Sequence, residues 1–528
     1  MKIDLAYFFE MGKTEQVDWS MGEKRALALP IKHLVFTIDC LLQQTDAEWI
    51  LFWNYSLFGE PDIGLIRELT RKPVDVWHAG LKCGLASQPS IMDFVEPTWM
   101  YNKDASPDIE HSSFRLSINA CLIRTSVLKK IGSLSASYSS PEMAGIALGY
   151  KLLKCGAILR YYPRLLKDSN FLQVQIPERD EWVFLRQFTP KKWQLWAIVN
   201  RKGILKNYMQ WRATRSISKD DCKPSIHLSE KTEGHAEYEK VSVLVPTLDR
   251  YNYLINELEQ LSVQTVLPYE VLITDQTDNE KRIKIDTNKY PNLSIKYFPQ
   301  QEKGQCIAWN KLLEEATGKY VLFLGDDADG IKPDFIERLL QTRKKFDCDM
   351  VASHVIELGI SYNVPNPYHY IADTFPITLI KKDVLLKTGF MDMFFNKNIR
   401  ADHDLAMRCH LVGTLMVYDP SAVVYHHRAP SGGLRAHKAR VVTNFMSKNS
   451  ISKFATLTSS EIFLVKKYFT PKQYKNYLKI SYFNQLLTRG NIIRKLLRII
   501  FFTINLPKMV NVYNKNKQLA LKAIQQKL

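Results

Sequence analysis

The chain has 528 residues and a formal net charge of +18 at neutral pH, and 46% of its residues are hydrophobic. This length predicts about two or three domains with separate cores, and the composition excludes a low-complexity chain. The positive charge indicates acidic partners, such as nucleotide phosphates, anionic lipid head groups or nucleic acid.

The cysteines and the amino terminus bear on the compartment. Eight cysteines are scattered without a C-x-x-C pair, which favours reduced thiols in the cytosol. Asp4, Glu10 and Glu15 surround the first apolar stretch, so no signal peptide is predicted. We find no apolar run of the ~20 residues that span a bilayer. The sequence therefore predicts a cytoplasmic protein, at most peripheral to the cytoplasmic face of a membrane.

The first half of the chain alternates strand-like and helical segments. Apolar runs at residues 5–9 and 47–53 predict strands, and from residue 114 a strand is followed by two helices, ended by Gly132 and Gly156. Aromatic and basic residues 178–217 predict a helical extension of this domain, which we place at residues 1–217. Residues 218–240 are polar without periodicity and predict a linker.

The second half restarts with the buried strand VSVLV at residues 241–245. Predicted strands at 269–275, 294–298 and 320–324 alternate with helices at 252–264 and 308–316. This alternation predicts an α/β domain with a mainly parallel sheet, at residues 241–435. A helical region follows at residues 436–528.

An acidic stretch, Gly-Asp-Asp-Ala-Asp at residues 325–329, follows the strand at 320–324. Ligands bind at the carboxyl edge of open α/β sheets, and carboxylates this close repel one another unless a cation lies among them. The stretch therefore indicates Mg²⁺ or Mn²⁺ shared with substrate phosphates. An exposed acidic turn is the alternative.

Several motifs occur in a specific order: VSVLVPTLDR, EVLITDQTD, KGQCIAWNKLLEEATGKYVLFLGDDAD, ADHDLAMRCHLVG and VVYHH. Together they resemble a family 2 glycosyltransferase with the GT-A fold, over roughly residues 241–427. The resemblance implies a nucleotide-sugar donor, a glycan acceptor and a divalent cation.

The resemblance also implies roles for individual residues. Donor-binding positions fall on Pro246, Thr247, Asp275, Gly304, Asn310 and Asp326. The catalytic base falls on Asp402, while Asp404 orients an acceptor hydroxyl, caps its helix or pairs with Arg408. Metal ligands fall on Asp327, Asp329, His426 and His427, although which aspartate of the stretch binds the metal stays open.

The two halves of the chain overlay without an outside sequence. At an offset of 257 residues, Gly132 meets Gly389 and Gly156 meets Gly413, and a tyrosine and a proline also match. In this register Asp402 lies on Gly145, Asp404 on Ala147, and the histidine pair on Ser169 and Asn170. The run AEWILFW at residues 47–53 separately overlays GKYVLFL at 318–324, which places the acidic stretch on Asn54-Tyr55-Ser56. We infer two tandem GT-A domains, of which the first is a degenerate copy.

The carboxyl-terminal region contains a basic amphipathic segment at residues 491–507, in which Ile493, Leu496 and Ile500 recur at helical spacing and Arg494, Lys495 and Arg498 lie between. Two interpretations stay open: a helix in the interface of an anionic membrane, or a helix packed on the catalytic domain.

The predicted function is an inverting, metal-dependent glycosyltransferase of cell-surface polysaccharide synthesis, with a lipid-linked acceptor if the membrane interpretation holds. The alternatives are a nucleotidyltransferase, for which no Gly-rich triphosphate loop is found, and an inert protein that binds glycan or nucleotide. We expect no nucleic-acid partner, because no RNA-binding motif or zinc module accompanies the charge.

Overall fold

The computed structural model describes residues 1–8, 18–28, 30–88, 91–167, 174–223, 225–226, 239–358, 377–427, 447–488 and 490–526. The predicted linker 218–240 lies only partly within these ranges. Ser169 and Asn170, and the predicted boundary at residues 435 and 436, lie outside the described residues.

The first half contains six strands and eight helices among the described residues. The strands are β1 (Ile3–Phe8), β2 (Lys24–Leu27), β3 (Trp49–Asn54), β4 (Val76–His78), β5 (Ala120–Arg124) and β6 (Leu159–Tyr161). The helices are α1 (Ile31–Gln44), α2 (Tyr55–Phe58), α3 (Ile63–Thr70), α4 (Thr125–Ile131), α5 (Pro141–Lys154), α6 (Glu178–Phe188), α7 (Lys191–Asn200) and α8 (Ile204–Ala213).

The second half contributes strands β7 (Val241–Thr247), β8 (Glu270–Asp275), β9 (Ile295–Pro299), β10 (Tyr320–Phe323), β11 (Ala328–Asp329), β12 (Met350–Glu357), β13 (Thr378–Lys381) and β14 (Met416–His426). Its helices are α9 (Tyr251–Ser262), α10 (Gln305–Glu315), α11 (Phe335–Phe346), α12 (Lys382–Thr388) and α13 (Ala401–Leu411). The carboxyl-terminal helices are α14 (Ser459–Tyr468), α15 (Pro471–Leu486) and α16 (Ile492–Gln525).

Each half builds one mixed sheet. The first sheet has the order β2-β1-β3-β5-β4-β6 and the second β11-β14-β12-β13-β10-β7-β8-β9. The apolar runs of β7 and β10 are buried on both faces, because helices cover both sides of the second sheet. The predicted α/β fold class, with two GT-A-like domains and a helical carboxyl-terminal region, is confirmed.

The two sheets repeat one another in register. In the first sheet β1 and β3 are parallel, β3–β5 and β5–β4 are antiparallel, and β4–β6 are parallel. The second sheet has the same series: β7 and β10 are parallel, β10–β13 and β13–β12 are antiparallel, and β12–β14 are parallel. Arg124 and Lys381 occupy matched positions and their numbers differ by 257, the offset found in the sequence. Trp49 pairs with Arg124 in the first sheet as Tyr320 pairs with Lys381 in the second. Likewise, Val76 pairs with Leu159 as Met350 pairs with Met416.

The repeated glycines explain part of this match. Gly132 and Gly389 end α4 and α12 with φ of 92° and 76°, and Gly156 and Gly413 also have positive φ. A residue with a side chain is strained in this region, so both copies need glycine at the same turns. Gly413 additionally contacts the first domain, where the Arg160 guanidinium donates to its carbonyl at 2.8 Å.

Helix α16 corrects the expectation that no segment could cross a membrane. It runs for 34 residues through Pro507, and it contains a stretch long and apolar enough to span a bilayer by length and composition. Only 17% of that stretch is buried. The sequence analysis singled out only residues 491–507 of this helix and did not predict its full length.

Candidate active site

Strands β7, β8 and β10 of the second sheet carry predicted donor residues to its carboxyl edge. Pro246 and Thr247 end β7 and pair with Thr274 and Asp275 at the end of β8. Strand β10 lies on the other side of β7, and the acidic stretch follows it directly. Because parallel strands end at the same edge, the sequence positions predicted for donor binding converge there.

Asp326 and Asp327, which we call the acidic pair, are bridged by an arginine. Arg250, just after β7, donates from Nη1 to Asp326 Oδ1 at 2.7 Å and to Asp327 Oδ2 at 3.1 Å. His426, at the end of β14, places Nε2 at 3.0 Å from the other oxygen of Asp327. Both carboxylates are buried, at 5% and 6% exposure. The pair is therefore an enclosed anionic centre with one bound guanidinium.

The two members of the acidic pair titrate differently. Burial and the charge of Asp327 raise the pKa of Asp326 to about 6, despite Arg250. Burial also acts on Asp327, but the hydrogen bond and charge of His426, together with Arg250, outweigh it and leave the pKa of Asp327 below its ordinary value. Asp327 therefore loses its proton at lower pH than Asp326, and Asp326 takes up a proton more readily than an ordinary carboxylate.

The structure does not gather the four predicted metal ligands into one site, which corrects that prediction. His427 binds Asp329 at 2.6 Å, apart from the pair formed by His426 and Asp327. Asn256 and Gln260 of α9 occupy the other oxygen of Asp329. Among the described residues, no group of three or more acidic, histidine or cysteine side chains is arranged around one point. The hydrogen bonds from α9, which the sequence could not indicate, explain the separation.

Glu257 of α9 is a further carboxyl next to the acidic pair. It is fully buried, and neither of its oxygens has a hydrogen-bond partner among the described residues. Burial, together with the charges of Asp326 and Asp327, raises its pKa well above the ordinary value. Glu257 thus adds a buried carboxyl within electrostatic range of the acidic pair.

The chemistry of the acidic pair and His426 suits a divalent cation, because carboxylate and imidazole ligands suit Mn²⁺ better than Mg²⁺. The described residues do not arrange these three side chains around one point. Both oxygens of Asp327 have partners, so a cation held by Asp326, Asp327 and His426 would have to displace Arg250 or His426 from Asp327.

Asp275 lies beneath two tyrosines at the end of β8. Tyr251 donates to its Oδ2 at 2.6 Å, Tyr297 donates to the same oxygen, and the amide of Thr277 donates to Oδ1 at 2.8 Å. A nucleotide base would reach this carboxylate only by displacing a tyrosine hydroxyl. Its contact with the base stays a prediction.

Gly304 and Asn310 hold the segment that leads to α13. Asn396 lies where a Cβ on Gly304 would be, at 2.2 Å from its Oδ1, and accepts from the amide of Cys306 at 3.1 Å. Asn310 exchanges two hydrogen bonds with the backbone of Met391, at 2.8 and 2.9 Å. The structure thus gives both residues a positioning role, while their contact with the donor stays a prediction.

Asp402 lies in the first turn of α13 with 42% of its side chain exposed. His403 Nδ1 donates to it at 3.0 Å, and Arg400 Nη1 donates to His403 Nε2 at 2.8 Å. Because a guanidinium only donates, Nε2 must accept and the proton lies on Nδ1. Partial removal from water raises the pKa of Asp402. The hydrogen bond and charge of His403, together with the charge of Arg400, outweigh this effect and hold the pKa below its ordinary value. Asp402 is therefore ionised and accessible.

Asp404 does not face the cleft, which corrects its predicted contact with an acceptor hydroxyl. It is fully buried, with Arg408 Nε at 2.8 Å from Oδ2 and Lys467 Nζ and Tyr468 OH each at 2.7 Å from Oδ1. The alternative that the sequence left open, an ion pair with Arg408, is confirmed. Asp404 joins α13 to α14.

Sequence reasoning missed Arg250, Glu257 and the residues that hold Asp402. Arg250 had a signal, since it follows the strand end of β7 within three residues of Thr247. Glu257 had a weaker one, because it lies among buried positions of α9 at helical spacing, including Leu254, Leu258 and Leu261. No sequence signal links Arg400 to its partner Glu461, which lies 61 residues further on.

The first domain lacks these groups at the matched positions. Helix α5 carries Gly145 and Ala147 where α13 carries Asp402 and Asp404, and a Cβ on Gly145 would lie 2.8 Å from the carbonyl oxygen of Leu116. The space that a carboxylate would need is therefore filled by backbone. Asn54, at the start of the stretch that matches the acidic residues, accepts from the amide of Leu57 and caps α2.

A sheet edge with paired carboxylates, together with an ionised aspartate at a helix start, is typical of an α/β transferase domain that binds nucleotides. Residues 242–402 match the family model described as Glycosyl transferase family 2.

Individual relatives match smaller parts of the chain. An uncharacterised glycosyltransferase of Rickettsia felis is 27% identical over 180 residues, which are 32% of this chain and 29% of that protein. The putative teichuronic acid biosynthesis glycosyltransferase TuaG of Bacillus subtilis is 29% identical over 110 residues, which are 20% of this chain and 43% of that protein. The chain thus spans less than half the length of these relatives.

The crystal structure of S. aureus TarS residues 1–349 with UDP-GlcNAc aligns with a TM-score of 0.35 and 15% identity, covering 54% of this chain and 92% of that one.

Proposed function

We propose that the second domain transfers a sugar from a nucleotide-diphosphate donor to a hydroxyl of a glycan acceptor, with inversion at the anomeric carbon. The observation that supports this most is Asp402, an ionised and accessible carboxylate at the start of α13 in a family 2 domain. Inversion follows when the acceptor oxygen attacks from the face opposite the leaving nucleotide.

Asp402 is the general base in this proposal. It accepts the proton of the acceptor hydroxyl as that oxygen attacks the anomeric carbon, and its lowered pKa keeps it ionised at neutral pH. His403 and Arg400 orient its carboxylate, and Glu461 of α14 holds Arg400 at 3.2 Å. This chain of contacts fixes the direction in which the free oxygen of Asp402 points.

The acidic pair and Arg250 serve the donor side. Asp326, Asp327 and His426 would hold Mn²⁺ or Mg²⁺, which when bound neutralises the charge of the departing diphosphate. Arg250 then balances the remaining negative charge of the pair. Thr247, Asp275 and the backbone at Gly304 line the edge at which the nucleotide is expected.

The acceptor is proposed to be a glycan of a cell-surface polysaccharide, carried on a lipid at the cytoplasmic face of the membrane. The name of the relative TuaG, a putative teichuronic acid biosynthesis enzyme, supports a polysaccharide. The exposed apolar side chains of α16 support a lipid carrier. The protein is accordingly proposed to be cytoplasmic and peripheral.

The test is a screen of UDP-, GDP- and dTDP-sugars for hydrolysis with Mn²⁺ or Mg²⁺. One donor class is expected to be hydrolysed, and Asp402→Asn should abolish turnover while leaving the unfolding temperature unchanged. Asp383→Asn, at an exposed position in the first turn of α12, is the matched control and should behave as wild type.

Two outcomes would contradict the proposal. Comparable turnover in Asp402→Asn would remove Asp402 from the role of base. The absence of hydrolysis with every donor, together with nucleotide binding in a calorimeter, would favour an inert binding protein. Manganese binding measured by electron paramagnetic resonance separates the metal from catalysis, because Asp327→Asn should weaken it whether or not a donor is turned over.

A further inference from the structure

Helix α16 has Arg498, in its second turn, facing inward and large apolar residues facing outward. Arg498 is fully buried and donates from Nε to the carbonyl of Gln485 at 2.7 Å. Its other nitrogens bind the carbonyls of Ser450, Ile451 and Lys453 and the hydroxyl of Ser447 at 2.6–3.2 Å. The sequence had placed Arg498 on the basic flank of this helix, so its burial corrects that expectation.

The outward face of α16 carries large apolar side chains. At 100° per residue they lie on the side opposite Arg498, which is where an amphipathic helix would normally be polar. They are Ile492, Ile493, Leu496, Ile500 and Ile504, with exposed fractions of 67%, 63%, 56%, 54% and 68%. The five contacts of Arg498 prevent the helix from rotating this face inward, so the apolar side is fixed toward the surroundings.

Helix α8 of the first domain is built in the same way. Asn207 is buried, and its amide donates to the carbonyls of Ile198, Arg201 and Lys202 at 3.1–3.2 Å. Away from Asn207 the helix exposes Leu205, Tyr208 and Met209, at 67%, 44% and 59%, and Ile204 at its start is 56% exposed. A polar anchor again turns an apolar face outward.

The two helices are connected through α7 and α15. Trp196 of α7 and Phe483 of α15 lie with ring centroids 5.3 Å apart, and Asn200 donates to Asn476 at 3.0 Å. Phe483 and Leu487 are themselves 44% and 43% exposed, near the end of α15 that leads into α16. Helices α7 and α15, which precede α8 and α16 in the chain, are thus in direct contact.

The charges next to these faces are positive. Neither α8 nor α16 contains an aspartate or a glutamate. Arg212 lies on α8, as does Lys206, which pairs with Glu178 of α6 at 2.6 Å. Arg494, Lys495 and Lys508 lie on α16. Apolar side chains bordered by lysine and arginine complement an anionic lipid interface, where the apolar groups enter the acyl boundary and the cations contact head groups.

We propose that the outward faces of α8 and α16 together form one membrane-binding surface that takes an anionic lipid bilayer. This proposal rests on the proposed function only in that a lipid-linked acceptor would lie at the membrane. Binding of the surface to a bilayer does not require catalysis. It gives the degenerate first domain a task, because α8 belongs to that domain and supplies one of the two contacts. Two separated contacts would fix the orientation of the cleft relative to the bilayer, which one helix cannot do.

The test is co-flotation of the full-length protein with vesicles of phosphatidylcholine and phosphatidylglycerol in equal parts, without a sugar donor. Wild type should float with these vesicles, less so at high salt, and not with phosphatidylcholine alone. Ile500→Gln and Leu205→Gln should each weaken binding roughly tenfold, because each removes one large apolar side chain from the bilayer. Leu386→Gln on α12, at a position that is 60% exposed, is the matched control and should bind as wild type.

Each remaining outcome would overturn the proposal. Normal binding of Leu205→Gln beside weak binding of Ile500→Gln would leave α16 as the sole anchor and remove α8. Flotation that neither variant changes would remove both faces. A wild-type dimer in light scattering that Ile500→Gln dissociates, without vesicle binding, would make the face a contact between copies of the chain. Since no donor is present, failure of the transferase assay leaves these results intact.

Discussion

Replacing Glu257 by methionine should stabilise the second domain. Glu257 is fully buried without a hydrogen-bond partner among the described residues, and burying a polar group in this way costs about 1–3 kcal/mol in proteins. Methionine has a similar volume and no polar oxygen, so it removes this cost without opening a cavity. We expect the free energy of unfolding to rise by about 1–3 kcal/mol at neutral pH.

The assay is thermal unfolding of the full chain without added metal. For a domain of roughly 150–250 residues, each kcal/mol corresponds to about 2–4 °C, so the unfolding temperature should rise by roughly 2–12 °C. Glu259→Met, on the exposed side of the same helix, is the control and should leave the unfolding temperature nearly unchanged.

The pH dependence gives an independent check. The pKa of Glu257 is raised well above 4.5 in the folded state, so the folded protein binds this proton more tightly than the unfolded chain. The stability of wild type therefore decreases as pH rises from about 4.5 toward the folded pKa, and Glu257→Gln lacks this contribution. The advantage of Glu257→Gln over wild type should grow with pH across that window.

A lower unfolding temperature for Glu257→Met would refute this reasoning. It would mean that the carboxylate has a stabilising partner, and a bound cation would be the first to test. In that case Glu257→Met should also weaken manganese binding, while Glu259→Met should not.

Two further predictions concern packing. Asp404→Asn should lower the free energy of unfolding by about 1.5–3 kcal/mol in denaturant titrations, because it removes a buried charged acceptor of hydrogen bonds from Arg408 and Lys467; a loss below about 0.5 kcal/mol would refute the structural role. Gly413→Ala should lower the unfolding temperature more than Gly132→Ala. Both positions have positive φ, but only at Gly413 would the new methyl meet a neighbour, the Glu110 carbonyl oxygen at 2.2 Å. Equal effects would show that the domains do not depend on this contact.

The sequence was sufficient for the features that depend on local pattern. Apolar runs located the central strands β7 and β10, and the glycines and the offset of 257 residues identified the duplication, because turns with positive φ constrain both copies alike. Asp402 was proposed as the base because the motif ADHDLAMRCHLVG resembles that of family 2 glycosyltransferases. These signals can be recognised in the sequence, because they involve residues that are close together in the chain or at a fixed spacing.

The sequence was insufficient where a side chain chooses between distant partners. Asp402 and Asp404 are both acidic residues in the first turn of α13, yet one faces solvent and the other binds Lys467 and Tyr468 of α14. Arg498 has the same spacing as its basic neighbours, and only the carbonyls of residues 450–453 and 485 explain its burial. Such choices are set by the tertiary structure and not by composition.

The contacts between α13 and α14 make the family match a poor guide to where the protein could be cut. The match ends at residue 402, inside α13, whereas Glu461 holds the arginine behind Asp402 and residues 467 and 468 secure the same helix. A fragment trimmed to the homologous segment would keep the proposed base but release the support that aims it. Helix α14 is therefore part of the structure that supports the proposed base. Fragments for crystallisation or assay should extend at least through α14.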